Sequence, residues 1–285
     1  MPELWKDLLD CLDLRDVDPA VYEGRNQRLS YHRVFGGQLL AQFARAAART
    51  CPDKTVKSLH AVFARAGRTD EPIRYEATRH HEGGTFATLT IVARQNAGVV
   101  ATAAVSLHTT ENGPDHQTIT GLPGASGVPD VPGVPTALRM PGVDQRVEID
   151  LLPWEVRSAT DLNSPAPAPP EIDLWMRTPP VDADLAPALI AYGTDLTLIG
   201  TALLPLDGVS QRDAGTAFTS AVTAHTVWFH RPFTTEQWLL LRQHAPILAH
   251  GRCFGRGDVL TESGSLVASY AQEAMLRWPR SPGSE

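Results

Sequence analysis

The same succession of segments occurs twice along this chain, and any fold must accommodate both copies. The helix-like FGGQLLAQFARAAART leads to the strand-like SLHAVFAR, then to alternating segments that turn at His81-Glu82-Gly83-Gly84 and Asn96-Ala97-Gly98. Further on, ADLAPALIAYGTDLTLIGTALL leads to AHTVWFHR, and the alternating segments after it turn at Glu262-Ser263-Gly264. His60 and His225 stand 165 residues apart, Gly98 and Gly264 166 apart. Solenoids repeat every ~20–50 residues, so a single long offset signals a duplicated unit. Each unit supplies one apolar helix and several antiparallel strands to cover it, which predicts an α+β layer. In the second unit Leu185, Leu189, Tyr192, Leu196, Ile199 and Leu203 recur at spacings of three and four. The spacing predicts one long buried helix.

Between the copies lies a Gly/Pro-rich stretch, and eleven of the 23 prolines fall between Pro114 and Pro170. The expected organisation is a leading helix and first unit over 1–112, a linker over 113–145, and a second unit over 146–285.

Composition narrows the function. A net charge of −7 argues against a general nucleic-acid binder, which needs a basic surface to replace counterions on phosphates. It leaves room for a local cluster: Arg65, Arg68, Arg231 and Arg252 are candidates for meeting phosphates, against the plainer reading of solvated surface arginines. Only Lys6, Lys54 and Lys57 are lysines among the 25 basic residues, a skew expected of a GC-rich, bacterial coding sequence. Cys11, Cys51 and Cys253 form no CxxC, so neither a disulfide framework nor a zinc site is expected, and a reducing, cytoplasmic compartment is. The start, MPELWKDLLDCLDL, lacks the basic flank and apolar run of a signal peptide. No continuous apolar run reaches the ~18 residues of a spanning helix, so no membrane association is expected. There is no GxSxG, HExxH, P-loop or GxGxxG.

Two polar residues stand where apolar ones are expected. Asp195 lies inside the apolar helix, as a structural cap or as a carboxylate that orients or deprotonates water. Gln272 shares a strand face with Leu266, Ala268, Tyr270, Ala274 and Leu276, as a satisfied core amide or as a site residue. His225 and His230 have opposite parity and cannot act as a pair.

RVFGGQLLAQ, HAVFARAGRTDEPIRYEA, VWFHRPF and ASYAQEAMLR resemble the type II acyl-CoA thioesterases, from about Val34 to Arg277 and most weakly through the linker. The resemblance implies a tandem double hotdog, each unit a long helix wrapped by a curved antiparallel sheet. It implies hydrolysis of fatty acyl-CoA to fatty acid and free coenzyme A, with no metal or organic cofactor. In this family an Asp on the second helix, a Thr or Ser on the next strand and a Gln on the last strand bind the attacking water. Asp195 in AYGTDL and Gln272 in YAQEAM match. The third position departs: counted back from Trp228 it falls on Val222, which has no hydroxyl. Either a β-bulge brings the adjacent Thr223 inward as the third catalytic residue, or two residues hold the water. A weakly active or non-catalytic acyl-CoA binding protein is the alternative; a hotdog dehydratase would want a His on the second helix. Pairing of sheet edges makes a homodimer the expected assembly.

Overall fold

The computed structural model describes residues 2–29, 31–119, 135–138 and 147–279. In the first unit α1 (Pro2–Leu12), β1 (Arg15–Asp18) and β2 (Val21–Gly24) precede α2 (Gly36–Thr50), and β3 (Thr55–Phe63), β4 (Ile73–Glu82), β5 (Phe86–Gln95) and β6 (Gly98–His108) follow it. β7 (Pro135–Leu138) and β8 (Val147–Asp150) pair with each other alone. The second unit holds β9 (Glu155–Ser158), β10 (Glu171–Arg177), α3 (Ala186–Gly193), α4 (Leu198–Leu203), β11 (Thr219–Phe229), β12 (Leu239–Ala249), β13 (Arg252–Thr261) and β14 (Leu266–Arg277).

Much of the expected linker lies outside the described residues; within it, Pro135–Leu138 is a strand. Where the linker begins, the chain runs against the second unit. Gln117 Nε2 donates to the Gly264 carbonyl at 2.6 Å, and Asp115 pairs with Arg231.

One antiparallel sheet of twelve strands spans both units in the order β1-β2-β4-β5-β6-β3-β11-β14-β13-β12-β10-β9. α2 is built from strong helix formers, and Leu39, Leu40, Phe43, Ala46 and Ala47 bury one stripe of it against the sheet. α4 lies across β12 and β13 in the same way.

The units meet where β3 pairs with β11, with Leu59 opposite Val227, His60 opposite Thr226 and Ala61 opposite His225. Opposed residues share a sheet face. Ala61 and His225 are therefore both inside and fully buried, whereas His60 and Thr226 face outward and bond to each other at 2.6 Å. Exchanging the units about the His60–Thr226 pair carries each paired residue of β3 to one of β11 166 positions on. The offset shared by Gly98 and Gly264 fits, and both glycines take the left-handed backbone of a turn, φ +116° and +91°. The His60–His225 offset does not fit, because an odd offset puts the two copies on opposite faces.

The single long helix expected across 183–204 is interrupted. α3 ends at Gly193 and α4 begins at Leu198, with Thr194–Thr197 as the break. β-Branched Thr disfavours a helix interior, and Thr194 and Thr197 bound the break. The apolar stripe survives, with Leu189, Tyr192, Leu196 and Leu203 buried. Residues Ala183–Leu203 also match a membrane span in length and composition, contrary to the sequence expectation, but 83% of that window is buried within the protein. Within the protein, α2 lies against α3, and β12 and β13 against α4.

α2 and α3 pack directly on each other beneath the β3–β11 pairing. The Phe35 and Tyr192 rings meet edge-on with centroids 5.0 Å apart, and the Tyr192 hydroxyl reaches back to Gln27 Oε1 (2.9 Å) and the Leu151 carbonyl (2.7 Å). Gly37 makes this approach possible. A Cβ there would stand 2.5 Å from the Tyr192 carbonyl oxygen and 2.4 Å from the Phe35 ring. Backbone cannot yield as a side-chain tip can, so Gly37→Ala should cost about 1–3 kcal/mol of stability as overpacking does. Urea unfolding checks this; an unchanged midpoint would show that the seam is loose.

Candidate active site

The break between α3 and α4 sets Asp195 down at the N-terminus of α2, in the other unit. That terminus begins at Phe35 without a side-chain cap. A Cβ on Gly36 would lie 2.6 Å from Asp195 Oδ2, so the Gly-Gly of FGGQ serves the helix seam at one residue and the carboxylate at the other. Asp195 is 6% exposed, and Oδ1 has no hydrogen-bond partner in the protein. Burial pushes its pKa up to about 8, opposed by the Gly37 backbone N–H and the Arg33 guanidinium. Arg33 is itself fixed by Tyr31 Oη (2.8 Å) and the Ser220 carbonyl (3.0 Å).

Gln272 reaches the same place from β14, linked to Asp195 by a residue whose role sequence reasoning missed. The His225 ring lies with Nδ1 2.9 Å from Gln272 Oε1 and 3.8 Å from Asp195 Oδ1, and with Nε2 3.0 Å from Thr194 Oγ1. Its ring stacks near-parallel on Tyr270, 6.2 Å between centroids and 13° between planes. Burial drives the His225 pKa down to about 4, so the ring is neutral at pH 7. Gln272 Nε2, like Asp195 Oδ1, is buried without a protein partner. In the sequence His225 was a mark of the repeat and was set aside as a partner for His230; its shared parity with Val227 was the available signal that it faces the core. His230 is on the other face, with Nε2 3.0 Å from Ser269 Oγ.

Thr223 is where the bulge forms. Val222 pairs with Ala274 and Ala224 with Glu273, so Thr223 is the extra residue. The bulge sets Val222 opposite the buried Ala274. Thr223 Oγ1 donates to the Glu273 backbone carbonyl at 3.1 Å. The structure thus brings Asp195 and Gln272 together around His225 and leaves the Thr223 hydroxyl on β14.

Beside Asp195 opens a cavity of about 280 Å³ between the units, walled by Phe35, Leu39, Phe63, Leu196, Ile199 and Phe218, with Val222 and Thr223 also lining it. The arginines considered for phosphate contact are mostly engaged: Arg68 with Asp70 and Glu71, Arg231 with Asp115, Arg252 with Glu273. Among the described residues no group of three His, Cys, Asp or Glu is assembled that could hold a metal ion.

A helix laid against an antiparallel sheet, repeated and joined edge to edge with one polar site at the seam, is the double hotdog arrangement. Acyl-CoA thioesterases have this form in two family models, their N-terminal domain matching residues 26–108 and their C-terminal domain residues 119–276. The chain belongs to that family. It is 30% identical to acyl-CoA thioesterase 2 of Haemophilus influenzae over 98% of its own length and 99% of the relative's. It is 27% identical to human acyl-coenzyme A thioesterase 8, over 93% and 87%. Among solved structures, the acyl-CoA thioesterase II TesB2 of Mycobacterium marinum superposes with a TM-score of 0.77 at 28% identity, covering 95% of this chain and 98% of that one.

The two buried groups give stability a definite pH dependence. Asp195 holds its proton to about pH 8 when folded and to about 3.8 when unfolded, so its contribution is present below pH 4 and lost as pH rises toward 8. His225 is protonated below 6.5 when unfolded but only below about 4 when folded, so its contribution is lost as pH falls through that window. The slopes oppose each other below pH 6.5, and Asp195 alone acts above it. The thermal midpoint should decline from pH 6.5 to 8.5, and Asp195→Asn should flatten that decline in calorimetry. An equal decline in the variant would place the titration elsewhere.

Proposed function

We propose that this protein hydrolyses acyl-CoA thioesters by water attack, with Asp195 as general base and Gln272 holding the water. The observation that carries this reading is the pair of buried polar atoms without protein partners, Asp195 Oδ1 and Gln272 Nε2, on two side chains that both approach His225 Nδ1, with Asp195 also lining an apolar cavity. A water between them donates one hydrogen to ionised Asp195 and accepts one from the Gln272 amide. Its remaining lone pair is left for the thioester carbon. The carbonyl oxygen becomes an oxyanion as the C–O bond forms, and the amides at the N-terminus of α2 other than the Gly37 N–H, which Asp195 accepts, are suited to stabilise it. The intermediate collapses with loss of the coenzyme A thiolate, and the proton taken by Asp195 passes to that sulfur. The acyl chain occupies the cavity walled by Phe35, Leu39, Phe63, Leu196 and Phe218.

The cellular setting belongs to the same proposal. Cys11, Cys51 and Cys253 are all buried free thiols, in keeping with the reducing cytoplasm of a bacterium and a place in fatty acid metabolism. The assembly is proposed to be a homodimer.

Release of free thiol from acyl-CoAs of graded chain length tests the activity. Because Asp195 must be ionised to act, kcat/KM should rise with pH and level off above about 8. Asp195→Asn should lose nearly all turnover, and Gln272→Ala about 10²–10³-fold, as for loss of a donor at a reacting centre. A protein that binds acyl-CoA but releases no thiol is the second reading, and Val222 in place of a hydroxyl is what favours it. Val222→Thr should then raise turnover, a tenfold gain being worth about 1.4 kcal/mol in the barrier. Thr223→Val, whose hydroxyl faces the Glu273 carbonyl, should leave turnover within about twofold; a collapse of activity there would restore Thr223 to the site.

A further inference from the structure

Gln272 can serve either of two opposite roles, and its own shape does not decide between them. The two ends of a primary amide are nearly identical in size, one donating and the other accepting, so the neighbours decide which end faces the site. Here the neighbour is His225. Thr194 and His225 are fully buried and Gln272 is 2% exposed, so water cannot interchange their partners.

We propose that His225 is a positioning residue of this site: it accepts the Thr194 hydroxyl at Nε2, donates from Nδ1 to Gln272 Oε1, and so turns the Gln272 NH2 group toward Asp195. The inference rests on the thioesterase reading for its consequence, but the geometry stands apart from it. A neutral imidazole carries one N–H. If Thr194 donates to Nε2 (3.0 Å), the ring proton is on Nδ1 and only the oxygen of Gln272 can receive it, at 2.9 Å. In the reverse arrangement Nε2 donates to Thr194, Thr194 donates to the Ala191 carbonyl at 3.2 Å, and Gln272 presents its oxygen to the site.

The carboxylate chooses between them. Asp195 Oδ1 lies 3.8 Å from Nδ1 and lacks a partner. Once ionised, it is attracted by an Nδ1–H and an amide NH2, and repelled by the lone pairs that the reverse arrangement would turn toward it. Low surrounding dielectric enlarges that difference. The imidazole, fully buried, lies near-parallel to the Tyr270 ring. His225 thus gives Gln272 a fixed donor end without touching the water itself.

Two independent measurements test this. In wild-type protein without substrate at pH 9, where Asp195 is ionised, ¹⁵N-histidine spectra should show His225 as the Nδ1–H tautomer; the Nε2–H tautomer overturns the proposal whatever the protein hydrolyses. In thiol-release kinetics, His225→Leu should lower kcat roughly tenfold or more with KM little changed, less than the 10²–10³-fold for a donor at the reacting atoms. His225→Asn puts an amide N–H near the Nδ1 position and should keep most of kcat. In the Gln272→Ala background His225→Leu should add no further loss, because the residue acts through Gln272. A full additional loss there, wild-type kcat in His225→Leu, or His225→Asn as damaged as Gln272→Ala would each overturn it. Should His225→Leu fail to fold, the tautomer and His225→Asn decide. Absence of thiol release by the wild type would instead sink the thioesterase reading and leave the tautomer result standing.

Discussion

Burial of the Asp195 carboxyl at the start of a helix from the other unit is the constraint on which the rest of the site depends. Ionising a carboxylate away from water is costly, and what offsets the cost here is oriented backbone, the Gly37 N–H, and the Arg33 charge, not an ion pair with a partner side chain. That compensation is incomplete, so the group stays a weak acid near neutrality. The same desolvation acts on His225 in the opposite sense and keeps it neutral. A carboxyl and an imidazole 3.8 Å apart would in water form an ion pair; here the proton stays with the carboxyl. At neutral pH the site therefore holds a mostly protonated carboxyl, which becomes a base as pH rises toward 8, beside a hydrogen-bonding ring that does not compete for its proton.

Among the described residues this arrangement exists once, although the fold is duplicated. Asp195 comes from the second helix and faces the start of α2. Exchanging the units carries that corner to the start of α3, and there Arg45 of α2 meets Asp184 at 2.9 Å. One corner of the pseudo-symmetric pair is closed by a partly exposed ion pair, the other left open to a cavity. The counterpart of His225 at the 166-residue offset is Leu59, which is fully buried. Duplication supplied the shared sheet and the helix seam, and divergence left polar chemistry on one side.

The inner polar residues of the first unit have a different task. Gln42 Nε2 donates to the Cys11 and Arg25 carbonyls at 2.8 and 2.9 Å, and Tyr75 donates to Gln42 Oε1 at 2.6 Å. Every one of those bonds joins two protein groups, which ties α1 and the segment after β2 to α2. A core amide with both ends occupied supports the fold. Gln272, with one end unoccupied, has capacity left for a ligand.

The amino-acid sequence by itself determined the duplication, the α+β class, the inward faces of the strands and the misfit of Asp195 and Gln272, because periodicity and polarity are local properties of the chain. Resemblance to the thioesterases added the architecture and the expected roles. What only the tertiary structure decided depends on contacts between residues far apart in the chain. The helix is broken at Thr194–Thr197, which local propensity does not distinguish from one long apolar stripe. The bulge at Thr223 was open from spacing alone, yet pairing with β14 set Val222 opposite Ala274 and gave the Thr223 hydroxyl to Glu273. His225 carried no mark in the sequence beyond its parity, and its function as a link arises from β11, β14 and the helix break meeting at one point. Side-chain hydrogen bonds are set by where the backbone finally places their ends, and no pattern along the chain records that.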